Sequence, residues 1–87
     1  MKTWGRIIVN NKYVKDSVAI IDDSNLSRTK KIFAALTQIC LDLDLSEPIW
    51  LDSNISEFKR NSKTRFYKDS FIEQIEFDYL EFQIVEE

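Results

Sequence analysis

A repeating apolar pattern between residues 25 and 43 constrains the fold more than any other feature of the chain. Apolar side chains recur every seven residues in three series: Leu26, Phe33 and Cys40; Ile32 and Ile39; Leu36 and Leu43. This spacing is typical of one wide apolar face on an α-helix. Residues 22–25, Asp-Asp-Ser-Asn, supply several N-cap candidates. We therefore predict a long amphipathic helix from about residue 25 to residue 43, which must bury its apolar face against a second layer.

The segments on either side of residues 10–12 predict a β-hairpin. Residues 3–9 and 13–21 are rich in Ile, Val, Tyr and Trp, and Asn10-Asn11-Lys12 lies between them. Asparagine tolerates the left-handed backbone that a tight turn demands. The register stays open, because Val14 can pair with Val9 in one alignment and with Ile7 in another. Since a slip of one residue moves every side chain to the other face, the sequence assigns no faces.

The segment after Pro48 predicts two short elements. Pro48 indicates a segment that is not helical at its start, and residues 49–51, Ile-Trp-Leu, indicate a short buried strand or an extended piece. Residues 52–54, Asp-Ser-Asn, can cap a short helix over residues 55–60. Its spacing places Ile55 and Phe58 on the inner face.

The C-terminal third predicts extended structure. Residues 64–68 read as extended, and residues 71–85 alternate in two phases that change between Tyr79 and Leu80. A β-bulge there, or two separate elements, would explain the change. We predict an α+β fold for a single small globular domain over residues 1–87. Its β-hairpin, one long amphipathic helix, short strands and short helix place the helix on a mostly antiparallel sheet.

Charged residues come in four blocks along the chain. Residues 1–31 carry seven Lys/Arg and three Asp/Glu, and residues 32–52 carry four acids and no base. Residues 53–68 carry five bases and one acid, and residues 69–87 carry seven acids and no base. The net charge of −3 therefore hides a segregated distribution, of the kind that steers partners.

Two basic clusters are the candidate binding residues. Arg28, Lys30 and Lys31 lie near the start of the long helix, where the macrodipole favours acids instead. The basic and aromatic segment 58–68 contributes the candidates Lys59, Arg60, Lys63, Arg65 and Tyr67. Bases of this kind contact phosphates or carboxylates, and exposed rings stack on nucleobases. The alternative is internal, with the acidic tail pairing against this segment.

Aromatic residues supply a second set of candidates. Trp and Tyr are enriched at interaction hot spots, and this small domain has more of them than its core requires. Trp4, Tyr13, Tyr67 and Tyr79 are therefore candidates for exposed anchors, and the alternative for each is ordinary burial or a lone exposed ring.

The composition lacks most of the residues on which enzyme active sites depend. The chain has no histidine and one glycine, which excludes histidine-based nucleophilic systems and glycine-rich phosphate loops. Its single cysteine, Cys40, lies on the apolar stripe and is expected to be a buried structural thiol. Glu76 and Asp78 could bind a cation such as Mg²⁺ if both lay on one strand face. We expect no enzyme activity, no cofactor and no metal.

The absence of several signals predicts a cytoplasmic protein. The apolar run at residues 7–9 is too short for a secretion signal, and no apolar stretch is long enough to span a membrane. One cysteine cannot form an internal disulfide.

Three short segments carry a resemblance. Residues 1–8, Met-Lys-Thr-Trp-Gly-Arg-Ile-Ile, with residues 48–52, Pro-Ile-Trp-Leu-Asp, and 64–67, Thr-Arg-Phe-Tyr, resemble a family of short uncharacterised proteins from Firmicutes. The resemblance covers most of the chain. It implies a small intracellular bacterial protein and implies no activity or functional residues.

These observations favour a non-catalytic protein–protein interaction module. Its protein partner is not specified by the sequence, and a homo-oligomer stays open. The alternative is a nucleic-acid-binding protein that uses segment 58–68, although a pI near 4.9 is far from the basic character of such proteins.

Overall fold

A four-stranded antiparallel sheet with two helices on one face forms the domain. The computed structural model describes all residues, 1–87. Its elements are β1 (Lys2–Val9), β2 (Lys12–Ile20), α1 (Arg28–Asp42), α2 (Asp52–Asn61), β3 (Lys63–Phe66), a 3-10 turn (Lys68–Ser70) and β4 (Tyr79–Glu86). The strand order is β2-β1-β4-β3. Buried residues of both helices join the inner-facing residues of the sheet in one core. The predicted α+β architecture is confirmed.

The β1–β2 hairpin forms where the sequence predicted it, but with neither predicted register. Asn10 and Asn11 adopt left-handed φ values of 52° and 65°, as a two-residue hairpin turn requires. The turn pairs Val9 with Lys12, and an irregularity between Ile7 and Ile8 then leaves Val14 without a partner. Both predicted pairings of Val14 are wrong because a bulge falls on that residue.

Helix α1 buries the predicted apolar stripe. It begins at Arg28 because Ser27, rather than a residue of 22–25, is the N-cap, and the Ser27 hydroxyl accepts a hydrogen bond from the Lys30 N–H. Its buried residues are Ile32, Ala35, Leu36, Ile39 and Cys40. Phe33, at the margin of the stripe, stays half-exposed.

The predicted short helix is longer than expected, and residues 49–51 form the extended piece rather than the short strand, the two alternatives that the sequence left open. Helix α2 begins at Asp52, where the buried Asn54 side chain accepts a hydrogen bond from the Leu51 N–H. The Asn54 amide also donates to Thr64 Oγ1 and to the Arg65 carbonyl, both at 2.9 Å. Residues 49–51 run extended beside the 3-10 turn, through a hydrogen bond from the Ile49 N–H to the Ser70 carbonyl. Those residues pair with no strand of the sheet.

The two phases of the C-terminal segment belong to two different kinds of structure. Only residues 79–86 form a strand, and residues 71–78 are irregular apart from bends. Ile75 and Phe77 are partly buried and pack against the core from this irregular segment. Leu80, Phe82 and Ile84 then place the apolar phase of β4 on the helix-covered face.

Trp50 contacts more aromatic rings than any other residue of the domain. Its ring lies edge-on to four phenylalanine rings, with centroid distances of 5.0 Å to Phe66, 5.4 Å to Phe58, 6.2 Å to Phe33 and 6.3 Å to Phe82. Edge-to-face pairs of this kind stabilise beyond the area that they bury. The connection between α1 and α2 is therefore held to both helices and to two strands.

Gly5 is the point of closest approach between the sheet and α1. A Cβ atom built on Gly5 would lie 2.4 Å from Ile39 Cγ2, a distance at which one of the two groups must move. Ile39 is fully buried, so its side chain has no free space to enter. The glycine therefore sets how near the helix can pack.

We predict that Gly5→Ala lowers the free energy of unfolding by about 1–3 kcal/mol, the usual cost of overpacking a core. Urea denaturation measures this change. Ile39→Ala alone should cost about 2–5 kcal/mol, but Gly5→Ala should cost much less in that background because the obstructing methyl group is gone. Equal costs in both backgrounds would contradict the proposed contact.

Candidate binding site on the uncovered face of the sheet

The four predicted aromatic anchors lie on one surface. The helices cover one face of the sheet, and side chains of alternate phase project from the other, here called the open face. Trp4 of β1 faces this way, as do Tyr13 of β2 and Tyr79 of β4, which both pair with Ile8 in the sheet. The Tyr67 ring, just beyond β3, lies 5.3 Å from that of Tyr79. Tyr13 is 66% exposed and Tyr67 is 47% exposed.

Arg6 organises the centre of the open face. Its guanidinium carbon lies 4.0 Å from the centroid of the Trp4 ring and 4.8 Å from that of Tyr13. Arg6 Nη1 donates to the Tyr13 hydroxyl at 3.1 Å, and Nη2 donates to Gln83 Oε1 at 2.9 Å. Asp16 fixes the other side of this cluster by accepting a hydrogen bond from Trp4 Nε1 at 3.1 Å. Cation–π stacking and hydrogen bonds thus hold both rings in place.

Glu81 joins the two halves of the open face. One carboxylate oxygen lies 2.8 Å from Arg6 Nη2, and the other lies 3.2 Å from Arg65 Nε. The Glu81 side chain is only 6% exposed and that of Arg6 12%. Arg65 in turn stacks on Tyr79, with its guanidinium carbon 4.8 Å from the ring centroid. Because buried charges require partners, this Arg–Glu–Arg bridge fixes side chains from three strands.

The structure divides the predicted basic residues between two surfaces. Trp4, Lys63, Arg65 and Tyr67 share the open face, since Lys63 and Trp4 both pair with Gln83. The other candidates, Lys59 and Arg60 on α2 and Arg28, Lys30 and Lys31 on α1, belong to the helical layer. Segment 58–68 does not form one surface, because its Phe58 and Phe66 are buried in the core between the two layers.

The acidic tail forms ion pairs through two of its carboxylates, and one of these pairs is the expected contact with segment 58–68. Arg65 meets Glu81 on the open face, and Arg28 meets Glu87 through a pair of hydrogen bonds at 3.2 and 3.0 Å. Hydrogen bonding to Arg28 holds the pKa of Glu87 below its usual value, and the same bond raises the pKa of Arg28. Lys30 and Lys31 form no ion pair, so α1 keeps uncompensated positive charge at its N-terminus.

Arg6 and Glu81, the central residues of the open face, are absent from the sequence-based candidates. Neither residue has an unusual neighbour in the sequence, and the two lie at opposite ends of the chain. Only the pairing of β1 with β4, which places Arg6 directly opposite Glu81, brings them together. Pairing their opposite charges on adjacent strands would have been the available signal.

The other groups considered for metal binding or catalysis are Glu76, Asp78 and Cys40. Glu76 and Asp78 precede β4, so the expectation that both lie on a strand is wrong. Asp78 accepts a hydrogen bond from the Asn10 N–H at 2.8 Å, beside the hairpin turn. No group of three or more His, Cys, Asp or Glu side chains is arranged to hold a metal ion. Cys40 is free and buried, and desolvation raises the pKa of its thiol to about 12.

Comparisons with family models, with curated proteins and with solved structures found no match to this chain. The resemblance to short Firmicutes proteins therefore stays a prediction. No helix in the structure is both long enough and apolar enough to cross a membrane.

We predict that Glu81→Gln lowers the free energy of unfolding by about 1.5–3 kcal/mol, the range for hydrogen bonds to charged groups, because Arg6 loses its buried counter-charge. Urea denaturation measures the change. Glu86→Gln is the matched control, since it removes one exposed carboxylate from the same strand and should cost less than about 0.5 kcal/mol. Equal effects of the two substitutions would show that the bridge adds no stability.

We predict that Cys40 resists alkylation in the native protein at neutral pH, because the reactive thiolate is scarce and the sulfur is covered. Mass spectrometry after iodoacetamide treatment, with and without denaturant, measures this. The raised pKa has no effect on stability while the thiol is protonated in both states, but above the pKa of the unfolded chain only the unfolded chain gains free energy by ionising the thiol. The free energy of unfolding should therefore fall as pH rises from about 9 towards 12, and this fall should be smaller in Cys40→Ala. Rapid native alkylation would contradict both expectations.

Proposed function

We propose that this protein is a non-catalytic protein–protein interaction module that binds its partner through the open face of the sheet. One observation carries the proposal: Trp4, Tyr13, Tyr67 and Tyr79 project from the same uncovered surface, together with Arg6 and Arg65. Trp, Tyr and Arg are the residue types that dominate binding energy at protein interfaces. We further propose the cytoplasm as its location, which fits a single unpaired cysteine.

The preorganised state of the open face supports a binding role. Arg6 is stacked and hydrogen-bonded in the free protein, and its contacts hold the rings of Trp4 and Tyr13. Side chains that are already ordered lose less conformational entropy when a partner binds. Tyr13 and Tyr67 keep much of their ring surface exposed, on opposite sides of the central bridge. A partner that covers the bridge would contact both rings.

Single-stranded nucleic acid is the second candidate ligand of the same surface. Its support is the presence of exposed rings beside Lys63 and Arg65, since bases stack on rings while cations contact phosphates. Two carboxylates on the open face weaken this candidate. Glu81 occupies both arginines, and Asp16 lies beside Trp4, so phosphates would meet negative charge at the centre of the surface. We therefore favour a protein.

The test is to isolate tagged protein from lysate of its native cells, with and without nuclease, and to identify what is retained. Tyr13→Ala/Tyr67→Ala removes the two most exposed of the four rings. Leu41→Ala, on the exposed side of α1, is the matched control. We expect a stoichiometric protein partner that survives nuclease, remains with the control and binds the double variant at least tenfold more weakly, as loss of hot-spot residues implies.

The opposite results identify the alternatives. If nuclease removes everything that was retained, and purified single-stranded RNA binds with an affinity that falls steeply with salt, the ligand is nucleic acid. A protein partner that binds the double variant and the control equally well would contradict the assignment of the open face.

A further inference from the structure

A second surface, on the helical layer, has the composition of a peptide-binding groove. A cavity of about 260 Å³ opens between α1 and α2, and its lining includes Ile32, Phe33, Trp50, Ile55 and Phe58. Phe33 is 50% exposed and Ile55 40%, although the sequence had placed Ile55 on the inner face of its helix. The helical layer therefore leaves apolar side chains exposed to solvent at this position.

Contacts with the core hold the lining of the groove in place. Trp50, in its lining, is held by Phe58, Phe66 and Phe82 of the core. Phe33 contacts the same ring from the α1 side, at a centroid distance of 6.2 Å. An apolar side chain that enters between Phe33 and Ile55 would therefore meet fixed aromatic surface and would need no rearrangement of the core.

Positive charge borders the groove on both helices. Arg28 and Lys59, which belong to separate basic blocks of the sequence, line the same cavity, and no acidic residue lines it. Lys59 forms no ion pair, whereas Arg28 has an exposed pair with Glu87 that an incoming carboxylate can replace. The positive end of the α1 dipole adds to the same field. Acidic groups are the complement of this rim.

We propose that this groove binds an acidic amphipathic segment of a partner protein. An apolar side chain of the segment inserts between Phe33 and Ile55, while its carboxylates lie against Arg28 and Lys59. The groove lies in the opposite layer from the open face, so a segment bound here leaves that face free. The domain can then hold two partners at once.

A second copy of the chain is the competing occupant. Ile72 is 89% exposed and is followed by Glu73 and, after two residues, Glu76, which gives an acidic segment with one almost fully exposed apolar side chain. Head-to-tail insertion of Ile72 into the groove of another copy would produce open-ended chains. Sedimentation analysis over a range of concentrations distinguishes this occupant. Self-association that is abolished by both Ile72→Ser and Lys59→Glu would overturn the proposal of a separate partner.

A selection experiment determines which peptide charge and which side chains the groove prefers. Short random peptides displayed on phage are selected against the full-length protein, and enriched peptides are synthesised for fluorescence anisotropy. We expect enriched sequences with net negative charge and at least one large apolar residue. Neutral or basic sequences, or no enrichment above a surface without protein, would overturn the proposal.

Two matched pairs of variants locate the binding. Lys59→Glu and Arg60→Glu make the same charge change on exposed neighbours of α2, but only Lys59 lines the groove. Phe33→Ala and Leu41→Ala both remove an exposed apolar side chain from α1, but only Phe33 lines it. We expect Lys59→Glu and Phe33→Ala to weaken peptide binding about tenfold or more and the two controls to leave it unchanged. Equal losses within each pair would place binding outside the groove.

Discussion

The packing of Trp50 against four phenylalanine rings is the contact on which both proposed binding surfaces depend. Phe66 and Phe82 lie on the covered face of β3 and β4, and the residues next to them, Arg65 and Glu81, lie on the open face. Phe33 and Phe58 extend from the same indole to the two helices that border the groove. A tryptophan in an irregular connection therefore positions α1 and α2 on the sheet, which the hydrogen bonds between strands cannot do.

Side chains of β3 and β4 alternate strictly between the two faces of the sheet, so one face packs in the core while the other is open to solvent. Thr64 and Phe66 face the core, while Lys63 and Arg65 face outward, and β4 alternates in the same way around Glu81. The outward charges are buried only where an opposite charge meets them across the strands, as Arg6 and Arg65 meet Glu81. The uncovered face can thus stay polar without leaving a buried charge unpaired, which a two-layer fold of this size requires.

Local patterns in the sequence were sufficient for the elements and insufficient for the site. The seven-residue spacing predicts α1, and Asn10-Asn11 predicts the hairpin turn, because both depend on neighbouring residues. The bulge at Val14 depends on how the two strands pair, which the sequence does not show. Ser27 was missed because residues 22–25 offered cap-forming side chains just before it. The bridge between Arg6 and Glu81, and the groove shared by Arg28 and Lys59, need contacts between distant segments. Aromatic anchors could be listed from the sequence, but their common face needed the strand pairing.

The close approach of Gly5 to Ile39 has a consequence for the history of this sequence. The two positions share one small volume, because any side chain at residue 5 would enter space that Cγ2 of residue 39 already fills. Substitutions at the two sites are therefore tied: a descendant that gains bulk on the strand must lose it on the helix. Covariation between the strand glycine and the helix isoleucine is therefore the pattern to expect among sequences that share this packing.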